Sequence, residues 1–404
     1  MWSAYMDRNG FSSYLRYCAG NSVALTCIWM QRVGVIWLAW EISESSLWTS
    51  IVVAAQLVPT IVAGPLFGAM ADRVPIASAM IKVQLILASL TTILFLIAAA
   101  DMASIAMLIT FECLIGITVS AHQPLRMALV PALVPKSLMS RAISLDSMVF
   151  NLTRMIGPAL AGFLIASTGV PMVIFVGAIG NLVLALVVWS LRKEVTSHVQ
   201  SSGGFLSQLQ DGWSVIRESR EVQAAFLLTG VFGSGGRAAV DLFPLFAATA
   251  FDRGADGAGL LLSAAGLGAV CAAAILALRK NLPKDIEICL AIAGFAALWA
   301  MSRTQNWSVG LACAAMLGCS ASIVGVATQS KIQLSIPDGF HGRVMGLWIM
   351  MGLGSTALGT IIYGLLSDVT SLRHASTIVA ILGILAVVGI ALLSRNAAED
   401  RTPR

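Results

Sequence analysis

Twelve times along this chain of 404 residues, a run of roughly twenty apolar residues ends in a short turn or a charged break. A run of that length lets an α-helix cross the hydrocarbon of a bilayer, about 30 Å at about 1.5 Å per residue. Inside lipid each backbone amide and carbonyl must find its partner within its own segment, so runs of this kind fold as helices. The predicted spans are 17–40, 48–71, 77–100, 103–124, 142–167, 170–191, 222–248, 258–278, 286–301, 308–328, 344–366 and 375–393. Charged residues are only 11% of the chain, against about 25% in soluble domains, so most of the surface must face something other than water. These features predict an all-α membrane protein.

The basic residues test that map. With both termini on the cytoplasmic side, 19 of the 25 Lys and Arg residues fall on inner loops and ends. Only Arg253, Arg303 and Arg373 fall outside, and Arg32, Arg154 and Arg237 lie within spans. That asymmetry is the positive-inside pattern, and a miscounted helix would scramble it. The net charge of +5 is therefore a topology signal, and it does not point to nucleic acid, because the basic residues are scattered singly. No cleavage site follows the polar first sixteen residues, so the first helix is expected to serve as its own insertion signal. The seven cysteines fall in or beside apolar runs without metal-ligand spacing, and no metal or cofactor is expected.

The longest polar stretch separates the sixth and seventh spans. Within it Phe205, Leu209, Trp213 and Ile216 recur at helical spacing, which suits an amphipathic helix on the inner membrane face. The expected organisation is a six-helix bundle over 1–192, a central loop over 193–221 and a second six-helix bundle over 222–404. An ungapped offset of 202 residues relates the two: Gly116 to Gly318, Pro135 to Pro337, Arg141 to Arg343, Gly157 to Gly359 and Gly162 to Gly364. Two pseudo-symmetric six-helix bundles are a transporter architecture, with the solute site between repeats near the midplane.

Four stretches resemble the major facilitator superfamily, in the branch of enterobactin exporters and macrolide-efflux proteins. They are Trp29-Met30-Gln31-Arg32 running to Trp40-Glu41-Ile42, Gly68-Ala69-Met70-Ala71-Asp72-Arg73, Arg141-Ala142 through Gly157-Pro158 to Gly162, and Ile336-Pro337-Asp338 through Gly342-Arg343. The Asp72-Arg73 loop departs from the family pattern, because Val74-Pro75-Ile76-Ala77 follows where basic residues are usual. The resemblance implies that spans 1, 4, 7 and 10 line a central cavity flanked by spans 2, 5, 8 and 11. It also implies a cytoplasmic gate of Asp72, Arg73, Asp146 and Arg343, in which a carboxylate faces the positive start of the eleventh helix.

Ionisable groups inside a bilayer are expensive and point to function. Arg32, Glu112, Arg154, Arg237 and Asp241 each lie within about 10 Å of a helix midpoint, on spans of the cavity set. Glu112 is the single central carboxylate of the first half. It suits a group that binds and releases a proton, or a structural bridge to Arg32 or Arg154. Arg237 and Asp241, four apart, form an intrahelical ion pair or a substrate contact released by protonation. Asn151 and Arg154 share a face, where Arg154 could fork onto a substrate carboxylate or hold spans 1, 4 and 5 together. Gln31 and Trp29 would add polar and stacking surface beside Arg32.

No phosphate loop and no HExxH motif occur, and the four histidines are dispersed, so an enzyme is not expected and the driving energy is an ion gradient. The expectation is a monomeric, proton-coupled exporter of a small organic molecule in the bacterial inner membrane, among lipids and without a cofactor. Three arginines against two carboxylates tilt the solute toward an anion, a carboxylate siderophore being one candidate. Multidrug efflux, lysophospholipid flipping and a non-transporting receptor or scaffold are the alternatives.

Overall fold

The computed structural model describes residues 2–71, 74–195, 213–214, 216–217, 219–278, 285–336 and 340–399. Asp72, Arg73, the Pro337-Asp338 turn, and Phe205 and Leu209 of the expected surface helix lie outside the described residues. Six helices form the first part: α1 (Trp2–Ser43), α2 (Ser46–Ala71), α3 (Ile76–Ala99), α4 (Ile105–Leu133), α5 (Met139–Thr168) and α6 (Val170–Leu191). The second part holds α7 (Arg220–Phe232), α8 (Ala255–Leu278), α9 (Ile286–Arg303), α10 (Trp307–Ser335), α11 (His341–Val369) and α12 (Leu372–Glu399). Side-chain caps fix several starts. The Ser104 hydroxyl accepts from the Met107 amide and the Asn306 carboxamide from those of Ser308 and Val309, which supplies partners the first helical turn lacks.

Eleven helices among the described residues are long and apolar enough to cross a membrane. The seventh predicted span is the exception, because it is not one helix. After α7 come a π turn over Gly233–Arg237, a short α turn over Ala238–Asp241, a break at Leu242, the turn Phe243–Leu245 and a second π turn over Phe246–Ala250. Gly233, Gly235 and Gly236 have low helix propensity, and π turns are common at functional sites.

The chain divides into two compact units. One comprises Met1–Ser43 with Ala55–Gly203, and the other Glu44–Ala54 with Gly204–Arg404. The division at 203/204 falls within the 193–221 stretch, and the first turns of α2 cluster with the second unit. The 202-residue offset reappears in the helix boundaries. α4 and α10 start at 105 and 307 and end at 133 and 335, and α6 and α12 start at 170 and 372. Equivalent glycines make equivalent contacts. Gly116 of α4 lies against the Gln56 backbone of α2, as Gly318 of α10 does against that of Ala265 in α8. Gly157 of α5 meets Trp29 and Thr26 of α1, while Gly359 of α11 meets the Ser234 backbone of the seventh span. At each, a Cβ would collide with the neighbouring helix, so small residues set the helix separation.

Tyr14, Tyr17, Met80, Leu129 and Leu184 pack the interior of the first unit, and Val222, Phe226, Ile332 and Val344 that of the second. The helices also expose large apolar side chains such as Val62, Phe163, Leu186 and Leu365. Such a surface would aggregate in water, and it is the surface a bilayer covers.

Candidate functional site

In the first unit the structure joins three helices around one guanidinium. Arg32 of α1 donates through Nη1 to Oε1 of Gln56 on α2 at 3.0 Å. Glu112 of α4 is buried at 5% exposure. One turn beyond Glu112, Gly116 brings α4 onto the Gln56 backbone. There the Thr60 hydroxyl lies 2.7 Å from the Gln56 carbonyl oxygen and 3.0 Å from that of Gly116. The close glycine contact and the hydroxyl staple α2 to α4, which holds Gln56 and Glu112 on adjoining helices.

The other predicted residues of this unit fall elsewhere. The Arg154 guanidinium lies over the Trp29 ring at 5.9 Å, and Phe150 meets that ring edge-on. Arg154 thus belongs to the α1–α5 packing that Gly157 permits. Asn151 donates to the Ser147 carbonyl of its own helix at 2.8 Å. Gln31 lies on α1 next to Arg32. Its side chain is buried, with Oε1 3.5 Å from the Thr91 hydroxyl of α3 and against Gly177 of α6, so it fills the packed interior.

Of the expected gate, Asp146 and Arg343 are among the described residues. Asp146 of α5 forms an ion pair with Arg126 of α4 at 2.8 Å, both about one-fifth exposed, so its carboxylate has a partner within its own unit. The Arg343 guanidinium stacks over the Phe340 ring at 5.3 Å.

The second unit contains a cavity of about 210 Å³ between the seventh span, α10 and α11. Arg237, Phe232 and Trp348 line it, with Thr229, Thr328 and Gly352. Trp348 donates through Nε1 to the Thr229 hydroxyl at 3.0 Å, and that hydroxyl sits 3.3 Å from the hydroxyl of Thr328. Both threonines donate back to carbonyls of their own helices, Thr229 to Ala225 and Thr328 to Val324. The indole is therefore held edge-on by a fixed acceptor, and its face remains available as a wall. Arg237, at the end of the π turn, is exposed, while Asp241 one turn on is half-buried. Pockets that enclose a whole drug-sized ligand run about 300–1,000 Å³, so this one has room for only part of such a molecule.

At the far end of α11, Asp368 accepts hydrogen bonds from the amides of Ser46 and Leu47 at 2.7 and 3.3 Å and from the Ser45 hydroxyl at 2.5 Å. It caps the start of α2. One turn before it, Gly364 lets Ser46 and Ser50 approach closely.

Gln56, Thr229, Thr328, Trp348 and Asp368 were not singled out from the sequence. The first three are uncharged polar residues within apolar runs, a weaker signal than an ionisable group. Asp368 sits at a span edge, where an acidic residue is ordinary.

Residues 15–403 match a family model described as transmembrane secretion effector. The chain is 22% identical over 389 residues to the staphyloferrin A transporter of Staphylococcus aureus, covering 93% of each. It is also 22% identical over 365 residues to macrolide efflux protein A of Streptococcus pyogenes, covering 88% of this chain and 89% of that protein. Among solved structures, a bacterial homologue of the human lysosomal transporter Spinster superimposes with a TM-score of 0.75 at 14% identity, over 96% of this chain and 98% of the other.

Proposed function

The chain belongs to the transmembrane secretion effector family of the major facilitator superfamily and is a multi-pass membrane transporter, and from that premise we propose that it exports a small anionic organic solute by proton-coupled alternating access. The observation that carries the coupling is Glu112, a buried carboxylate two turns into α4, inside the fourth apolar run. A carboxylate at that depth is costly as a bare ion and neutral once protonated, so loading and unloading a proton changes the energy of each state of the carrier.

The solute's negative group is assigned to Arg237 and its apolar body to Trp348 and Phe232. The names of relatives favour two solute kinds, a siderophore and a macrolide, and the Arg237 wall favours a solute that carries an anionic group. This division of labour has a mechanistic use. If proton and anion shared one guanidinium, protonating Glu112 would free that guanidinium for the anion, which is the binding order of a symporter. Export against an inward proton gradient needs proton and solute to exclude each other. An anchor on Arg237 keeps the solute's charge off the proton site.

We assign the protein to the bacterial inner membrane as a monomer with both termini cytoplasmic, on the basic-residue asymmetry. In proteoliposomes with citrate, a tricarboxylate, and an aromatic monocarboxylate such as salicylate as probes, Glu112→Gln should abolish gradient-driven transport and leave solute counterflow intact. Arg237→Gln should weaken both. Normal gradient-driven transport by Glu112→Gln would overturn the coupling role, and anion transport indifferent to Arg237→Gln would overturn the anchor.

A further inference from the structure

We propose that Gly325 is a specificity-determining residue, whose bare backbone on α10 holds open the cavity of the second unit and sets the bulk of the moiety it admits. The proposal rests on the solute site assigned above to that cavity, and its first test requires no solute.

Helix faces wall the cavity. Ala321, Gly325 and Thr328 share one face of α10, and Trp348 and Gly352, one turn apart, share one face of α11. Glycine forms helix less readily than alanine, so a glycine inside a helix calls for a reason. In membrane helices the usual reason is close helix approach. The other glycines of α10 have such a reason. A Cβ on Gly318 would strike the Ala265 backbone of α8, and one on Gly310 the Phe251 ring. On α11, Gly359 and Gly364 are likewise pressed against Ser234 and Ser46. Gly325 differs. Among the described residues, a Cβ there would meet nothing within 4 Å beyond its own helical backbone. No neighbouring helix requires this glycine, and a side chain in its place would take space from the cavity. Gly352 is intermediate, since its Cβ would make an ordinary contact with the Thr229 methyl at 3.7 Å.

Open space on one wall limits the size of a guest only where another wall is fixed. Trp348 supplies that wall. An indole has one N–H, and this one is spent on the Thr229 hydroxyl at 3.0 Å. That hydroxyl is itself tied to the Ala225 carbonyl at 2.8 Å. The Thr328 hydroxyl lies 3.2 Å from the carbonyl oxygen of Gly325, so the backbone left bare by the missing side chain keeps its polar group engaged. In an apolar pocket one added methylene changes binding about 10–200-fold, which makes residue 325 a lever on which moiety is accepted.

The test reads the cavity directly. In full-length protein lacking the seven native cysteines, Ala321→Cys places a thiol on the cavity wall one turn from Gly325. Methyl and benzyl methanethiosulfonate are both uncharged and differ in bulk. Both should label the thiol when Gly325 is in place. Gly325→Leu should slow the benzyl reagent about tenfold or more and the methyl reagent less than about threefold. Gly389→Leu on α12, where a Cβ also meets nothing within 4 Å but no cavity wall is formed, should change neither rate. Should Gly325→Leu fail to fold, Gly325→Val takes its place with the same reading. In counterflow with salicylate as the probe, Gly325→Leu should raise the half-saturating concentration about tenfold or more. The proposal is overturned if Gly325→Leu slows both reagents equally or neither, or if Gly389→Leu has the same effect. It is also overturned if the parent protein carries salicylate and Gly325→Leu leaves half-saturation unchanged. A parent protein that carries no salicylate refutes the solute assignment instead, and the labelling rates then decide the role of Gly325 on their own.

Discussion

Removing the Asp368 carboxylate should undock the start of α2 from the end of α11. Three donors converge on that carboxylate, two of them backbone amides in the first turn of α2. Those amides have no partner within their own helix, so Asp368 acts as an N-cap supplied by another helix. Replacing an N-cap by alanine costs about 1 kcal/mol, and the interaction of a negative charge with a helix start adds about 0.3–1 kcal/mol. Asp368 is exposed, so solvent screening places the charge contribution at the low end. A total near 1.4 kcal/mol is about a tenfold change in the undocked population. The assay uses Thr49, fully buried on the second turn of α2, as a single cysteine in a background lacking the seven native ones. When thiol labelling is slow compared with opening and closing, its rate follows the open population. Asp368→Ala should then label the Thr49 position about tenfold faster, and Asp368→Asn, which keeps an acceptor but loses the charge, about threefold. A rate within twofold of the parent for Asp368→Ala, in protein that still elutes as a folded species, would refute the cap.

Two further outcomes test other parts of the structure. Single cysteines at Ser104 and Ser371 should react with an impermeant thiol reagent in spheroplasts while one at Ser137 should not, and labelling at Ser137 would reverse the assigned orientation. Gly359→Val, which drives a side chain into the Ser234 backbone, should lower stability by about 1–3 kcal/mol, whereas Gly389→Ala, with nothing within 4 Å, should hold or raise it; equal effects on thermal unfolding in detergent would show that these contacts do not set the packing.

The candidate site residues show how far a pattern of apolar runs can be read. Arg32, Glu112 and Arg237 were legible because a charge inside an apolar run has no cheap explanation. Their partners were not. Arg32 reaches a glutamine on a different helix, Asp146 an arginine on α4, and Arg154 an indole one helix away. Gln31, adjacent in sequence to Arg32, turns into the packed interior of α1, α3 and α6. In a soluble helix the apolar stripe would have told these faces apart. Here the lipid-facing and protein-facing sides are both apolar, so the rotation of each helix about its axis leaves little trace in hydrophobic periodicity.

The sequence by itself determined that the chain crosses a bilayer many times, because hydrocarbon thickness and backbone hydrogen bonding act on each segment alone. It also carried the repeat, whose 202-residue offset recurs in the bounds of α4 and α10. The seventh span read as one uninterrupted run over 222–248, and only the structure set the π turn that ends at Arg237. Tertiary structure alone decided that Gly116 seats Glu112's helix on Gln56, that Thr229 fixes the Trp348 indole, and that Asp368 caps a helix more than 300 residues earlier in the chain. Each of these depends on which helices come within hydrogen-bond distance and how each is turned, and a one-dimensional pattern of apolar runs contains neither.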